Sequence, residues 1–222
     1  MNSVLRRSTL LLFSAACLFG QTPAIPNPAF RHIEDTPGLP RVLLIGDSIS
    51  IGYTEPVRAE LQGKANVHRI PENGASTLSV TKLDKWLGSE HWDVIHFNFG
   101  LHDLKIMEKG EHQVPLSQYK GNLKRIVERL KLSGARLIWA STTPVPGATT
   151  NPPRHGPDVP IYNAAASKIM RKAGIPIDDL YALAEPRLGE LQIPANVHYT
   201  EKGYRVLGHQ VAESILQALE KR

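Results

Sequence analysis

Residues 41–50 read Arg-Val-Leu-Leu-Ile-Gly-Asp-Ser-Ile-Ser, a short apolar run that ends in a glycine and a polar turn. A continuous apolar run of this length is typical of a strand that is buried on both faces of a parallel sheet. The run therefore predicts a strand over residues 41–46. The polar residues after it lie where this strand passes into a helix that begins near Ile49.

Four further segments resemble this first strand, and helical patterns separate them. The predicted strands are 67–70, 93–99, 136–140 and 175–177, and apolar residues recur every three or four positions in 116–132, 160–173 and 200–221. Strands and helices in alternation, without internal repeats, predict one doubly wound α/β domain. The proline-rich stretch 143–160 is expected to be a surface loop that helps to shape a substrate site.

The composition excludes several classes of protein. The 222 residues are 41% hydrophobic and 21% charged, which fits an ordinary globular domain and excludes a disordered chain. No apolar run reaches the length of about 18 residues that a membrane-spanning helix needs. The net charge of +5 is spread along the chain without a run of five like charges, so we expect no nucleic-acid partner.

The N-terminus has the pattern of a secretory signal peptide. Arg6 and Arg7 precede a short apolar stretch, 9–19, and the small residue Gly20 follows it. We therefore expect export to the periplasm or the medium, with no stable membrane insertion after signal removal. A lipoprotein signal, in which Cys17 becomes the lipidated first residue, is the alternative.

This interpretation divides the chain into three parts. Residues 1–20 are the expected signal peptide, 21–40 an N-terminal linker and 41–222 a single α/β domain. Since Cys17 is the only cysteine, the chain can form no internal disulfide, and a buried core of ordinary size must hold the fold.

Polar residues follow the first three predicted strands, at the edge of the sheet where the active crevice of such folds lies. Ser48 stands at a helix N-terminus, whose positive end favours a developing negative charge, although a serine there can simply cap the helix. Gly74, in an Asn-Gly turn, allows a backbone N–H to approach a substrate, although Asn-Gly is also a common turn. His102 and Asp103 follow the third strand, where they either face the crevice or form an ordinary loop.

A histidine near the C-terminus completes the set of candidate site residues. His198 comes just before the last predicted helix, for which Thr200 is a natural N-cap. A nucleophilic serine needs a general base, and a histidine in a short rigid loop is well suited to that role. The alternative is an exposed loop histidine without a role in catalysis.

These blocks, taken in order, resemble the SGNH (GDSL) hydrolases. The resemblance rests on Gly-Asp-Ser at 46–48, on Gly74, on Gly-x-x-Asp at 100–103 and on His198, and it extends over about 41–219. It implies a flavodoxin-like three-layer α/β/α sandwich around a central, mostly parallel five-stranded sheet. It also implies ester hydrolysis without a metal ion or other cofactor.

The same resemblance implies a role for each matching residue. Ser48 would be the nucleophile and His198 the general base, and the backbone N–H groups of Ser48 and Gly74 would bind the oxyanion. Asp47 and Asp103 would be supporting residues of the site.

The sequence departs from the family pattern at two positions. His102 stands where the family usually has the asparagine that is the third oxyanion donor, and an imidazole N–H can donate the same hydrogen bond in a pH-dependent manner. Ala195 stands where the family usually has the acid of the triad. Asn196 is expected to orient His198 without supplying a carboxylate's charge, so we expect a slower enzyme. Three aspartates are candidates for a replacement acid by location only: Asp158, Asp178 and Asp179.

The sequence thus predicts an exported serine esterase that hydrolyses small acyl esters, above all O-acetyl groups on carbohydrate, through an acyl-enzyme. Two alternatives stay open: a non-catalytic glycan-binding module on the same fold, and an O-acyltransferase. The expected ligand in each case is a small molecule or a glycan, and no metal-ligand spacing is present among the histidines.

Overall fold

A five-stranded parallel sheet forms the centre of the computed structural model, which describes residues 27–147 and 150–220. The strand order is β2-β1-β3-β4-β5, and every pairing is parallel. The strands are β1 (Arg41–Ile45), β2 (Asn66–Arg69), β3 (Val94–Phe97), β4 (Arg136–Ala140) and β5 (Ile177–Asp178). The fold class predicted from the sequence is confirmed, whereas the expected signal segment lies outside the described residues.

Helices cover both faces of this sheet. They are α1 (Ser48–Glu60), α2 (Ser76–Leu87), α3 (Leu116–Lys131), α4 (Asp158–Ala173), α5 (Leu180–Ala184), α6 (Leu188–Leu191) and α7 (Glu201–Glu220). Helix α1 packs against α7, while α3 packs between α2 and α4. The strand order reverses between β1 and β3, and right-handed crossovers then place α1 on the face opposite α2, α3 and α4.

The fifth strand begins two residues later than predicted and ends one residue later. Gly174 ends α4 in the left-handed conformation, with φ of 71°, and the N–H of Ile175 bonds to the carbonyl of Met170. Pro176 has no N–H to give to a ladder. Pairing with β4 therefore starts at Ile177, because the preceding residues complete the helix cap.

Two other segments differ from expectation. Helix α2 was not predicted, because the serines Ser76 and Ser79 occupy its buried face and weaken the apolar periodicity. The stretch 143–160 was expected to be a surface loop, but Val145 and Arg154 within it are buried. The Arg154 guanidinium donates to the carbonyl of Leu101 at 2.6 Å, which ties this stretch to the loop after β3.

Residues ahead of β1 also pack on the domain. In the described part of the expected linker, Thr36 exchanges hydrogen bonds with the side chain of Asn66 on β2, at 2.9 Å and 3.1 Å. The carbonyl of Pro28 accepts a hydrogen bond from Arg58 on α1. Within residues 27–147 and 150–220, no helix is both long and apolar enough to cross a membrane.

Two glycines permit the close approach of α1 and α7. A Cβ atom on Gly52 would lie 2.0 Å from the ring of Tyr204, and one on Gly208 would lie 2.5 Å from the Cβ of Pro56. Carbon atoms that are not bonded to each other cannot approach so closely, so larger side chains at these positions would push the helices apart. Because α1 begins at the end of β1 and α7 begins near His198, this contact positions two candidate site residues.

We expect Gly208→Ala to lower the free energy of unfolding by about 1–3 kcal/mol, because the new methyl group overlaps Pro56. Gly121→Ala is the matched control, since Gly121 lies inside α3 and a methyl group added there would meet no atom within 4 Å. That control should raise stability by about 0.5–1 kcal/mol through helix propensity. Urea unfolding followed by circular dichroism measures both, and equal effects of the two substitutions would contradict the packing argument.

Candidate active site

Ser48 is the first residue of α1 and directly follows the turn after β1. The sequence left open whether Ser48 caps the helix, and the structure assigns that role to Asp47, whose Oδ1 accepts the N–H of Ile49 at 2.9 Å. Asp47 is buried, whereas Ser48 is partly exposed. The Ser48 hydroxyl is therefore not used as the helix cap and lies at the positive end of α1.

The imidazole of His198 lies against this hydroxyl. Its Nε2 is 2.8 Å from Ser48 Oγ, and its Nδ1 is 2.7 Å from Oδ1 of Asn196. The same Oδ1 accepts the backbone N–H of His198 at 3.0 Å, so this atom is the amide oxygen and not the nitrogen. Nδ1 of His198 must then carry the proton, and the lone pair of Nε2 faces the hydroxyl proton of Ser48.

Hydrogen bonds hold the histidine loop on both sides. The N–H of Ile193 donates to the carbonyl of His198 at 2.9 Å, and Thr200 caps α7 by accepting the N–H of Gly203, as predicted. The Thr200 hydroxyl also donates to the carbonyl of Leu191. Ala195, where the family resemblance expects the triad acid, has a left-handed φ of 53°, so it forms part of a tight turn.

None of the three aspartates proposed as replacement acids reaches His198. Each is hydrogen-bonded elsewhere: Asp178 to His96 at 2.9 Å, Asp179 to Ser141 at 2.7 Å and Asp158 to His112 at 2.8 Å. The suggestion that one of them replaces the triad acid was wrong, because position in the sequence does not indicate which side chain a carboxylate will contact in the folded protein. The partner of Nδ1 is the neutral amide of Asn196.

Gly74 lies on the loop between β2 and α2, which borders the loop of Ser48 because β2 and β1 are neighbours. The buried carboxylate of Asp103 accepts the N–H of Ser76 at 2.9 Å and 3.1 Å, which anchors this loop. Burial raises the pKa of Asp103 to about 7, while the hydrogen bonds from Ser76 oppose that shift. Asp103 thus joins the loop after β3 to the start of α2.

His102 is half-buried on the loop that follows β3. The Nζ of Lys105 lies 3.1 Å from its Nδ1. Burial lowers the pKa of His102, Asp47 raises it, and the cations Lys105 and Arg154 lower it further, as does His198. Charges at Asp47, in the Ser48 turn, and at His198 thus both affect the ionisation of His102.

One supporting residue was missed by the sequence analysis. Nη2 of Arg69, the last residue of β2, donates to the carbonyls of Gly46 and Asp47 at 3.2 Å and 3.1 Å, and to Ser50 Oγ at 3.0 Å. Nη1 reaches the carbonyl of Glu72. Burial lowers the pKa of Arg69 to about 10. Arg69 therefore connects the Ser48 turn to the Gly74 loop, and its only sequence signal is a charge within the predicted strand 67–70.

The remaining polar groups do not form a metal centre in the described part of the chain. There, no three His, Cys, Asp or Glu side chains are arranged to hold a metal ion. His96, which could have been a ligand, is fully buried in the sheet and hydrogen-bonded to Asp178.

Solved structures of similar fold include several ester hydrolases. The lipase/acylhydrolase from Enterococcus faecalis is 18% identical, with a TM-score of 0.70 over 80% of this chain and 95% of that one. The acetyl xylan esterase AlAXEase is 13% identical, with a TM-score of 0.67 over 79% and 99%. Axe2, an acetylxylan esterase from Geobacillus stearothermophilus, is 18% identical, with a TM-score of 0.65 over 82% and 95%.

These identities show the fold alone, and no curated protein matches the chain. The family is shown by the sequence itself, because residues 44–206 match the model of the GDSL-like lipase/acylhydrolase family. That match covers most of the chain, from within β1 to the first turns of α7. The chain therefore belongs to the GDSL-like lipase/acylhydrolase family of serine ester hydrolases.

Proposed function

We propose that Ser48 is the nucleophile of this esterase and that His198 is its general base. The observation that carries this proposal is the 2.8 Å contact between His198 Nε2 and Ser48 Oγ, with the proton of the ring held on Nδ1 by Asn196. Ser48 Oγ attacks the ester carbonyl while Nε2 takes its proton. Nε2 then gives that proton to the departing alcohol, and a water deprotonated by His198 cleaves the acyl-enzyme.

Asn196 favours the correct tautomer of His198, but it supplies no negative charge to stabilise the ring once it is protonated. A carboxylate at this place holds the tautomer and also stabilises the imidazolium that forms during attack. The amide oxygen of Asn196 accepts Nδ1–H just as a carboxylate oxygen does, so orientation is retained. The missing charge is the reason to expect slower turnover than a complete Ser-His-Asp triad provides.

The oxyanion site uses donors from three loops. The backbone N–H groups of Ser48 and Gly74 and the imidazole N–H of His102 surround the carbonyl oxygen in this proposal. The N-terminus of α1 adds the positive end of its dipole at Ser48. Asp103 and Arg69 hold the loops of these donors in place, through the contacts to Ser76 and to the Ser48 turn.

We propose that the protein is an exported esterase and that O-acetyl groups on carbohydrate are its substrates. Support comes from the two neighbouring structures described as acetyl xylan esterases and from the secretory pattern of residues 1–20. A protein processed after Gly20 would begin at Gln21, which N-terminal sequencing of material recovered from the periplasm or medium can check.

We expect a serine-directed fluorophosphonate to add once to the wild-type protein and not to Ser48→Ala. Because only an activated hydroxyl reacts, intact-mass spectrometry reports directly on the Ser48–His198 pair. Ser50→Ala is the matched control, since that neighbouring hydroxyl is buried and donates to the carbonyl of Asp47. Ester turnover by Ser48→Ala should fall by about 10³-fold or more. A folded wild type that stays unlabelled from pH 6 to 9, roughly the range of imidazole titration, would contradict the mechanism.

We expect Asn196→Asp to raise kcat/KM for an acetyl ester by about tenfold or more, because a carboxylate would add the missing charge beside Nδ1. The geometry needs no change, since one oxygen already accepts both N–H groups of His198. Asn196→Ala is the control and should lower kcat/KM, because Nδ1–H loses its acceptor. An Asn196→Asp variant that folds normally but is no faster than wild type would overturn this view of Asn196.

We expect acetyl esters to be hydrolysed with a kcat/KM about tenfold higher than octanoyl esters of the same alcohol. Initial rates on the two esters measure this ratio, and acetate release from acetylated xylooligosaccharides is then measured separately. Added unacetylated oligosaccharide should leave the acetate yield unchanged, whereas a fall in acetate with new acetylated sugar would indicate acyl transfer. A preference for octanoyl esters would contradict the proposed substrate class.

A further inference from the structure

The contact between Lys105 and His102 determines which nitrogen of the His102 ring carries the proton. Nζ of Lys105 lies 3.1 Å from Nδ1 of His102. An ammonium group has three protons and no lone pair, so it can only donate in this contact. Nδ1 is therefore the acceptor, and the single proton of the neutral ring must be on Nε2.

Hydrogen bonds of the main chain hold Lys105 in place. Its N–H donates to the carbonyl of His102 at 3.3 Å, and its carbonyl accepts the N–H of Gln113 at 2.7 Å. The next residue, Ile106, donates to the carbonyl of Pro153 at 2.9 Å. The lysine and the histidine therefore belong to one loop that main-chain hydrogen bonds hold, and both residues are partly buried in it.

The charges around His102 favour its neutral form. Burial lowers the pKa of the imidazole most, Lys105, Arg154 and His198 lower it further, and the negative charge of Asp47 opposes them. Burial also lowers the pKa of Lys105, and Asp47 opposes this shift as well. A neutral imidazole can still adopt two tautomers, one of which would present a lone pair, and hence repulsion, to an oxyanion.

We propose that Lys105 is a positioning residue that directs the Nε2–H of His102 toward the substrate oxyanion. This inference rests on the proposed function, in which His102 is the third oxyanion donor. The lysine excludes the tautomer with its proton on Nδ1, and it opposes rotation of the ring by 180°. An asparagine needs no such partner, because its amide group always carries two protons. His102 and Lys105 therefore act together as the replacement for one asparagine.

We expect Lys105→Met, which keeps an unbranched side chain without its donors, to lower kcat by about tenfold with KM changed less than about twofold. Lys105→Arg retains a donor and should recover part of the loss. Correlation spectra of protein with ¹⁵N-labelled histidine should show the His102 proton on Nε2 in the wild type. A wild-type spectrum with that proton on Nδ1 would overturn the proposal, whether or not the variants fold.

The decisive comparison places Lys105→Met in a His102→Asn background. With asparagine at position 102, loss of the lysine should cost less than about twofold in kcat, so the two substitutions should be strongly non-additive. Equal losses in both backgrounds would show that Lys105 acts on the substrate or on the fold instead. Fluorophosphonate labelling separates the two proposals: an unlabelled wild type rejects the Ser48 mechanism, whereas labelled variants with additive losses reject only the role of Lys105.

Discussion

Two glycines allow α1 and α7 to approach so closely that Ser48 and His198, 150 positions apart in the chain, share a hydrogen bond. Side chains at Gly52 or Gly208 would overlap atoms of the opposite helix. Each helix begins beside its site residue, so a shift of either helix would move the hydroxyl or the imidazole. Because general-base catalysis requires hydrogen-bond distance, the packing of these two helices is the constraint on which the site depends.

The sequence departs from the usual family pattern at two places in the site. At each of them, a neighbouring group determines which nitrogen of a histidine ring carries the proton. At His198, an amide oxygen fixed by a backbone N–H keeps the proton on Nδ1. At His102, the ammonium of Lys105 faces Nδ1 and leaves the proton to Nε2. The two imidazoles thus hold opposite tautomers, as the roles proposed for them require: His198 as a proton acceptor and His102 as a hydrogen-bond donor.

Most strands and the long helices could be predicted because their burial follows directly from apolar pattern. The prediction for β4 agrees with the structure in full, and α3 differs by one residue at its end. Prediction failed where tertiary contacts determine whether a segment forms a helix or where a strand begins. In α2, the N–H of Ser76 donates to Asp103 and its hydroxyl accepts a hydrogen bond from Asn122, contacts that no local pattern reveals. The start of β5 was set by completion of the α4 cap.

The order of Gly-Asp-Ser, Gly74, His102 with Asp103, and His198 was enough to determine the fold class and the family, because each block follows a strand or precedes a helix of a doubly wound sheet. The tertiary structure alone decided which groups touch. It brought His198 to Ser48 and Arg69 to the Ser48 turn, and it bonded the three candidate aspartates to other residues. The spacing of apolar residues along the sequence determines which residues are buried. Hydrogen-bond partners instead depend on distances of a few ångströms between loops that are far apart in the chain.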